Sequence, residues 1–135
     1  MQMPSGQAVA RAMGLPVIHD KDLKVGKAIV SEWKAAASIT EIHKSFAHNA
    51  PLWYYILAEA QHEWFKRAAK AGSMGDKEPV TLGPVGGRIV AETLIGLAWG
   101  DGHSYLQQDP NWEPLIGGRH VTMGRLIKYA LTGAK

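Results

Sequence analysis

The chain has 135 residues, of which 46% are hydrophobic and 20% are charged. This composition is typical of a globular protein and excludes wholesale disorder, and the length suffices for one hydrophobic core. The net charge of +3 is scattered, which argues against a nucleic-acid partner, and the lack of cysteine excludes disulfides and thiol catalysis.

The first predicted helix covers Gly6–Met13, with Ser5 as its N-cap and with Gly14 and Pro16 ending it. A second helical stretch is predicted over Val25–Ala37. The apolar residues that share a face in this stretch are Val25, Ile29 and Trp33.

A third, short helix is predicted over Ser38–Phe46, with Thr40 as a possible cap. The longest helix follows over Pro51–Ala71, and its apolar residues form two neighbouring stripes. The first stripe contains Leu52, Tyr55 and Ile56, and the second contains Trp53, Leu57, Ala60 and Trp64. An apolar arc this wide predicts burial against more than one neighbour.

The next predicted helix covers Pro84–Trp99, because proline fits the first turn, where an N–H group is not needed. Its predicted inward residues are Ile89, Thr93, Leu94 and Leu97. Glycine is costly inside a helix, so close approach of a neighbouring element is the expected use of Gly86, Gly87 and Gly96. A long loop over Gly100–Gly118 and a last helix over Thr122–Leu131, ended by Gly133, complete the pattern.

No strand-like alternation is present, so the sequence predicts an all-α fold. About six helices are expected in a compact or partly open bundle, with the whole of 1–135 as a single helical domain. No apolar run is long enough to span a membrane, and no signal-like segment opens the chain. A cytoplasmic protein without a membrane partner is therefore expected.

Two residue pairs are candidates for chemistry or for structural pairing. Glu59 and His62 are three residues apart, a spacing that places both on one helical face and occurs in di-iron bundles. Because no second pair of this kind is present, we favour the interpretation that the two residues form an exposed polar edge of the helix over the interpretation that they form a metal site. Arg88 and Glu92 are four residues apart and predict a structural ion pair, exposed or partly buried.

Four segments carry a more specific signal. They are Met3–Pro16, Ala50–Ala60 (APLWYYILAEA), Leu82–Leu97 (LGPVGGRIVAETLIGL) and Ser104–Pro114 (SYLQQDPNWEP). In this order they resemble the C-terminal helical region of bacterial haem peroxidases of the animal-peroxidase superfamily. In that family the haem-ligating and catalytic residues lie before the first matched segment, so none of them carries over. The histidines of this chain that fall outside the family's haem motifs are His19, His43, His48, His62, His103 and His120.

The resemblance implies that this chain is a scaffold portion, while haem and catalysis belong to the full enzyme. That enzyme reduces peroxide and oxidises a co-substrate, and the expected partner of this chain is its haem-bearing core. Two alternatives remain open. One is a stand-alone helical module without catalysis that self-associates through exposed apolar faces. The other is a small metal-dependent enzyme that uses Glu59 and His62.

Overall fold

The computed structural model describes residues 3–26, 30–33, 35–71, 81–114, 116 and 121–133. Within these residues the fold is all-α and contains no strand, so the predicted fold class is confirmed. Isolated bridges pair Ser5 with Pro51 and Lys24 with Ser38. None of the described helices combines the length and the apolarity needed to span a membrane.

The chain divides into two compact units, Met1–Glu92 and Thr93–Lys135. The first unit begins with helix α1, Gly6–Ala12. The Ser5 side chain caps α1 by accepting a hydrogen bond from the Ala8 N–H at 3.3 Å. The predicted start of this helix is confirmed because an N-cap depends on neighbouring residues only.

Between residues 24 and 46 the elements are shorter than predicted. Helix α2 is described over Val30–Trp33 and helix α3 over Ile39–Ile42, followed by a 3-10 turn at Lys44–Phe46. The predicted helix start at Val25 is wrong, because Gly26 has a φ of +94°, a value that does not occur in a right-handed helix. Ile29 lies outside the described residues.

Helix α3 is capped two residues earlier than predicted. Its N-cap is Ser38, not Thr40, and the Glu41 side chain completes a capping box by accepting from the Ser38 N–H at 3.1 Å. Ile39 at the start of α3 is buried, while Ile42 at its end is exposed. The chain therefore turns sharply here and places Ser38 and Ile39 inward.

Helix α4, Leu52–Ala71, is the central element of the first unit. One side of it enters the core through Tyr55 and Ala58, while Trp53 and Leu57 are 66% and 58% exposed. The second predicted apolar stripe is thus divided, since Trp53 and Leu57 are exposed, whereas Ala60 is buried and Trp64 is half-buried. The residues that form the core cluster are Ala10, Leu23, Ile39, Ala50, Tyr55, Ala58 and Val85.

Helix α5, Pro84–Gly100, starts where the sequence predicts. Its first turn is buried at Val85 and Gly86, whereas Leu94 and Leu97 are 62% and 67% exposed. The predicted inward orientation of these two leucines is wrong. A helix that is apolar around most of its circumference has no polar side from which the buried face can be inferred.

The second unit contains a short helix α6, Tyr105–Gln108, and helix α7, Met123–Thr132. In the loop that follows α5, the rings of Tyr105 and Trp112 contact each other, with 5.5 Å between their centroids. Thr122 caps the start of α7, and Gly133 ends it in the left-handed conformation at φ +62°. Both ends of α7 match the prediction within one residue.

Candidate functional site

The candidate site of this chain is centred on Glu59, a carboxyl group that is 2% exposed on α4. Its Oε2 accepts hydrogen bonds from the N–H groups of Val85 at 2.9 Å and Gly86 at 3.2 Å, and its Oε1 accepts from Val85 at 3.1 Å. The acid therefore caps the N-terminus of α5, where unpaired N–H groups and the helix dipole favour a negative charge.

The sequence Gly83-Pro-Val-Gly86 explains why this contact can form. Pro84 opens the helix without an N–H group, so Val85 and Gly86 supply the donors that need an acceptor. A Cβ on Gly83 would overlap the Glu59 side chain, and a Cβ on Gly86 would lie 2.6 Å from Cγ2 of Ile56. These two glycines let the start of α5 lie directly on α4.

The expected close approach is thus confirmed at Gly86, but it is wrong at Gly87 and Gly96. A Cβ on Gly87 would have its nearest neighbour, Cβ of Leu82, at 4.0 Å, and a Cβ on Gly96 meets nothing within 4 Å in the described part of the chain. The glycine-rich turn therefore serves α4–α5 packing at its first two glycines and not along the whole helix.

Burial raises the pKa of Glu59 above its ordinary value, because it disfavours the charged form. The hydrogen bonds from Val85 and Gly86 act in the opposite direction and lower the pKa. The charge of Glu63 raises it further, and His62 lowers it. The net effect is a carboxyl group that holds its proton more tightly than it does in water.

A pocket of about 170 Å³ lies beside this carboxyl group. One of its walls contains His62, whose Nδ1 is buried and has no hydrogen-bond partner among the described residues. Lys66 and Glu63 form an ion pair at 3.7 Å on the same helix. The residues that line the pocket are Pro16, Val17, Ile18, His19, Asp22, Glu59, His62, Glu63, Lys66 and Pro84.

Glu59 and His62 thus share one pocket, as their spacing suggests, but the favoured expectation of an exposed polar edge is wrong for Glu59. Both oxygens of its carboxylate are already bonded to backbone N–H groups. Across the described ranges, no three His, Asp or Glu side chains are grouped so that they could hold a metal ion. The observed role of Glu59 is to join two helices.

The predicted ion pair between Arg88 and Glu92 is present, with 2.6 Å between Arg88 Nε and Glu92 Oε1. The two side chains are 48% and 60% exposed, so the ion pair is exposed and not partly buried. Arg88 also donates from Nη1 to the carbonyl oxygen of Met13 at 3.1 Å, just after the end of α1. The arginine therefore ties α5 to a helix C-terminus, where cations are favoured.

Sequence reasoning missed the cap formed by Glu59 because its partners are 26 and 27 residues away along the chain. One signal was available, an acid on a predominantly apolar helix. That pattern indicates that the acid needs a partner, but it does not identify the partner. Comparison of the chain with protein-family models, with curated proteins and with solved structures finds no match.

Proposed function

We propose that this chain is the C-terminal helical scaffold portion of a haem-dependent peroxidase, and that it acts by packing against a haem-bearing core. The resemblance of four segments in order, described above, is the origin of the proposal. The observation that carries it is the outer face of α4. Trp53 and Leu57 lie one turn apart there and are exposed, while the opposite side of the same helix forms the core of the first unit.

Haem does not fit the pocket beside Glu59. The pocket of about 170 Å³ is smaller than the roughly 300–1,000 Å³ that drug-sized ligands occupy. Both carboxylate oxygens of Glu59 on its wall already accept hydrogen bonds from the N–H group of Val85 at the start of α5. In the proposed assembly the cofactor and the reaction therefore belong to the core, and this chain covers apolar surface of that core.

Complementation tests the proposal. A bacterial haem peroxidase of this superfamily is shortened by its own C-terminal helical region, and the purified chain is added to the shortened enzyme. The expected result is recovered peroxidase activity and haem retention that saturate at one chain per core. The double variant Trp53→Asp, Leu57→Asp should fail to restore them, whereas Leu131→Asp, an exposed apolar residue of α7, serves as the matched control.

Two results contradict the proposal. One is the lack of any recovery when both proteins are folded by circular dichroism and the chain is in excess. The other is a saturable Soret shift with one haem per purified chain that a single histidine substitution abolishes. That second result would assign the cofactor to this chain instead of to a partner.

A second candidate function is a stand-alone interaction module that self-associates without catalysis. The observation that favours it lies in the second unit, where large apolar side chains of α5 and α7 are exposed. Exposed apolar surface of this kind marks protein interaction sites. A defined oligomer of the purified chain without cofactor supports this candidate, and a monomer at high concentration contradicts it.

A further inference from the structure

Helix α7, Met123–Thr132, is exposed on all sides. All ten of its residues are exposed, and so are the two residues before it. No other described helix packs extensively against it. A helix this short is marginal in water by itself, because packing of an amphipathic face supplies most of the stability of helices in proteins. Helix α7 therefore needs a surface that covers its apolar side.

The residues of α7 are sorted by polarity around its axis, more strongly than those of α4 and α5. At 100° per residue its large apolar side chains fall within an arc of about 140°, the apolar stripe. Its two cations, Arg125 and Lys128, fall on the opposite side, and it contains no acidic residue. The residues of the stripe are Met123, Leu126, Ile127 and Leu131, with exposures of 69%, 45%, 52% and 80%.

The net positive charge of the chain is concentrated around α7. Basic residues are scattered along the whole sequence, but residues 115–135 contain no Asp or Glu. The basic residues of this segment are Arg119, Arg125, Lys128 and Lys135. The other 11 of the 15 basic residues are balanced by the 12 acidic ones, all of which lie before residue 115. The segment around α7 is therefore complementary to an anionic surface.

We propose that α7 is a membrane-surface helix, whose apolar stripe inserts into the interface of a bilayer that contains anionic lipids. Such helices have an apolar face and a polar face rich in Lys and Arg. At about 15 Å, α7 is too short to span a bilayer, so it lies parallel to the membrane plane. The expectation of no membrane partner depended on the lack of a spanning segment, which a surface helix does not need. The inference goes beyond the proposed function and does not rest on it.

The position of the cations favours lipid over a protein partner or a second copy of the chain. A protein groove that covers the apolar stripe leaves Arg125 and Lys128 on the far side, in water. In a bilayer the apolar face lies only about 5–10 Å deep, and a helix is about 10–12 Å wide, so the polar face stays at the level of the headgroups. The long side chains of Arg125 and Lys128 then reach the lipid phosphates beside the helix. An anionic lipid surface therefore engages both faces at once.

Co-sedimentation of the full chain with vesicles tests the proposal. The anionic vesicles contain equal parts of phosphatidylglycerol and phosphatidylcholine, and the neutral vesicles contain phosphatidylcholine alone. The chain is expected to bind the anionic vesicles at least about tenfold more tightly, because each cation near an anionic surface strengthens binding. Added salt should weaken this binding, because it screens the charges.

A pair of variants tests the apolar stripe. Ile127→Asp should weaken binding to the anionic vesicles by at least about tenfold, because it places a charge in the face that enters the membrane. Leu57→Asp makes the same kind of change at an exposed position of α4 and should leave binding nearly unchanged. Both variants add one negative charge, so the comparison isolates the stripe from the net charge of the chain.

A pair of double variants tests the cations in the same way. Arg125→Gln, Lys128→Gln should weaken binding to the anionic vesicles by about tenfold or more. Lys21→Gln, Lys44→Gln removes the same charge from exposed positions of the first unit and should have a much smaller effect. Equal effects of the two double variants mean that the net charge of the chain, and not α7, determines binding.

The orientation of the helix can be measured directly, because the chain contains no cysteine. A single Leu126→Cys variant carries an environment-sensitive fluorophore in the stripe, and a Thr132→Cys variant carries it on the opposite side. On anionic vesicles the emission of the first label should shift to shorter wavelength, and that of the second should shift much less. Equal shifts overturn the proposed orientation.

Three further results overturn the inference. The first is no binding to the anionic vesicles by a chain that circular dichroism shows to be folded. The second is equal binding to anionic and neutral vesicles, because the cations then play no part. The third is a dimer in sedimentation equilibrium that Ile127→Asp dissociates and that does not bind vesicles, because a second copy then covers the stripe.

Discussion

The carboxylate of Glu59 accepts a hydrogen bond of 2.9 Å from the N–H group of Val85, so a buried acid of α4 holds the start of α5. Helix N-termini are natural binding sites for anions. In this chain the anion is supplied by the protein itself, from a helix that packs beneath the glycine-rich turn. The glycine-rich turn therefore joins two helices and does not serve as a phosphate site.

Removal of the Glu59 carboxylate is expected to destabilise the first unit. Glu59→Ala leaves the buried N–H groups of Val85 and Gly86 without an acceptor, at a cost of about 1–3 kcal/mol for each group. Glu59→Gln keeps one acceptor oxygen and should cost less. Urea unfolding followed by circular dichroism measures both free energies, and equal losses in the two variants contradict the capping role.

The raised pKa of Glu59 predicts the direction of a pH effect. Because the folded-state pKa lies above the ordinary glutamate value of 4.5, the folded protein binds the proton more tightly than the unfolded chain does. The stability contributed by protonated Glu59 is therefore fully present below pH 4.5 and is lost as the pH rises through the folded-state pKa. The other charged groups that act on this carboxyl group are Glu63, which raises the pKa of Glu59, and His62, which lowers it.

Glu59→Gln supplies the reference for this effect because it cannot titrate. The free energy of unfolding of the wild type minus that of the variant should fall as the pH rises from 4.5 and then become constant. Taking the difference removes the contribution of the other carboxyl groups. A difference that instead grows as the pH rises towards 4.5 and is constant above it means that the hydrogen bonds outweigh burial and that the pKa is lowered.

The two adjacent glycines of α5 should respond in opposite directions to alanine. Gly86→Ala places a Cβ 2.6 Å from Cγ2 of Ile56 and should destabilise the protein by about 1–3 kcal/mol through overpacking. Gly87→Ala meets only an ordinary contact at 4.0 Å and should stabilise the helix by up to about 1 kcal/mol. Thermal unfolding of the two variants measures both effects. A loss of stability in Gly87→Ala means that a neighbouring element approaches Gly87 closely, as the sequence predicts.

The sequence predicts those features of the fold that depend on neighbouring residues, but not those that depend on residues far apart along the chain. Helix ends set by neighbouring residues, such as Ser5 and Gly133, are predicted correctly. The buried face is predicted correctly for α4 at Leu52 and Tyr55. It is predicted wrongly for Leu57 and Leu94, which are exposed, because wide apolar arcs on these helices leave several faces that could be buried. The partner of Glu59 is set by three-dimensional packing, and the spacing of residues along one helix contains no information about it.

The buried hydroxyl group of Tyr55 offers an independent test of the first unit's core. The side chain is fully buried, and its oxygen accepts a hydrogen bond from the Ile18 N–H at 3.1 Å. Tyr55→Phe removes this acceptor and leaves a donor unsatisfied, which should cost about 1–3 kcal/mol. The ring remains, so helix content should not change. A variant as stable as the wild type shows that Ile18 finds another acceptor.

The ion pair of Arg88 with Glu92 should contribute little by itself. Both side chains are about half exposed, so a double-mutant cycle with alanine should give a coupling free energy of about 0.2–0.5 kcal/mol. Arg88→Ala alone should nevertheless cost more than Glu92→Ala, because Arg88 also donates to the Met13 carbonyl. Equal costs for the two single variants imply that the Met13 contact adds no stability. A coupling of several kcal/mol implies that the pair is shielded from water.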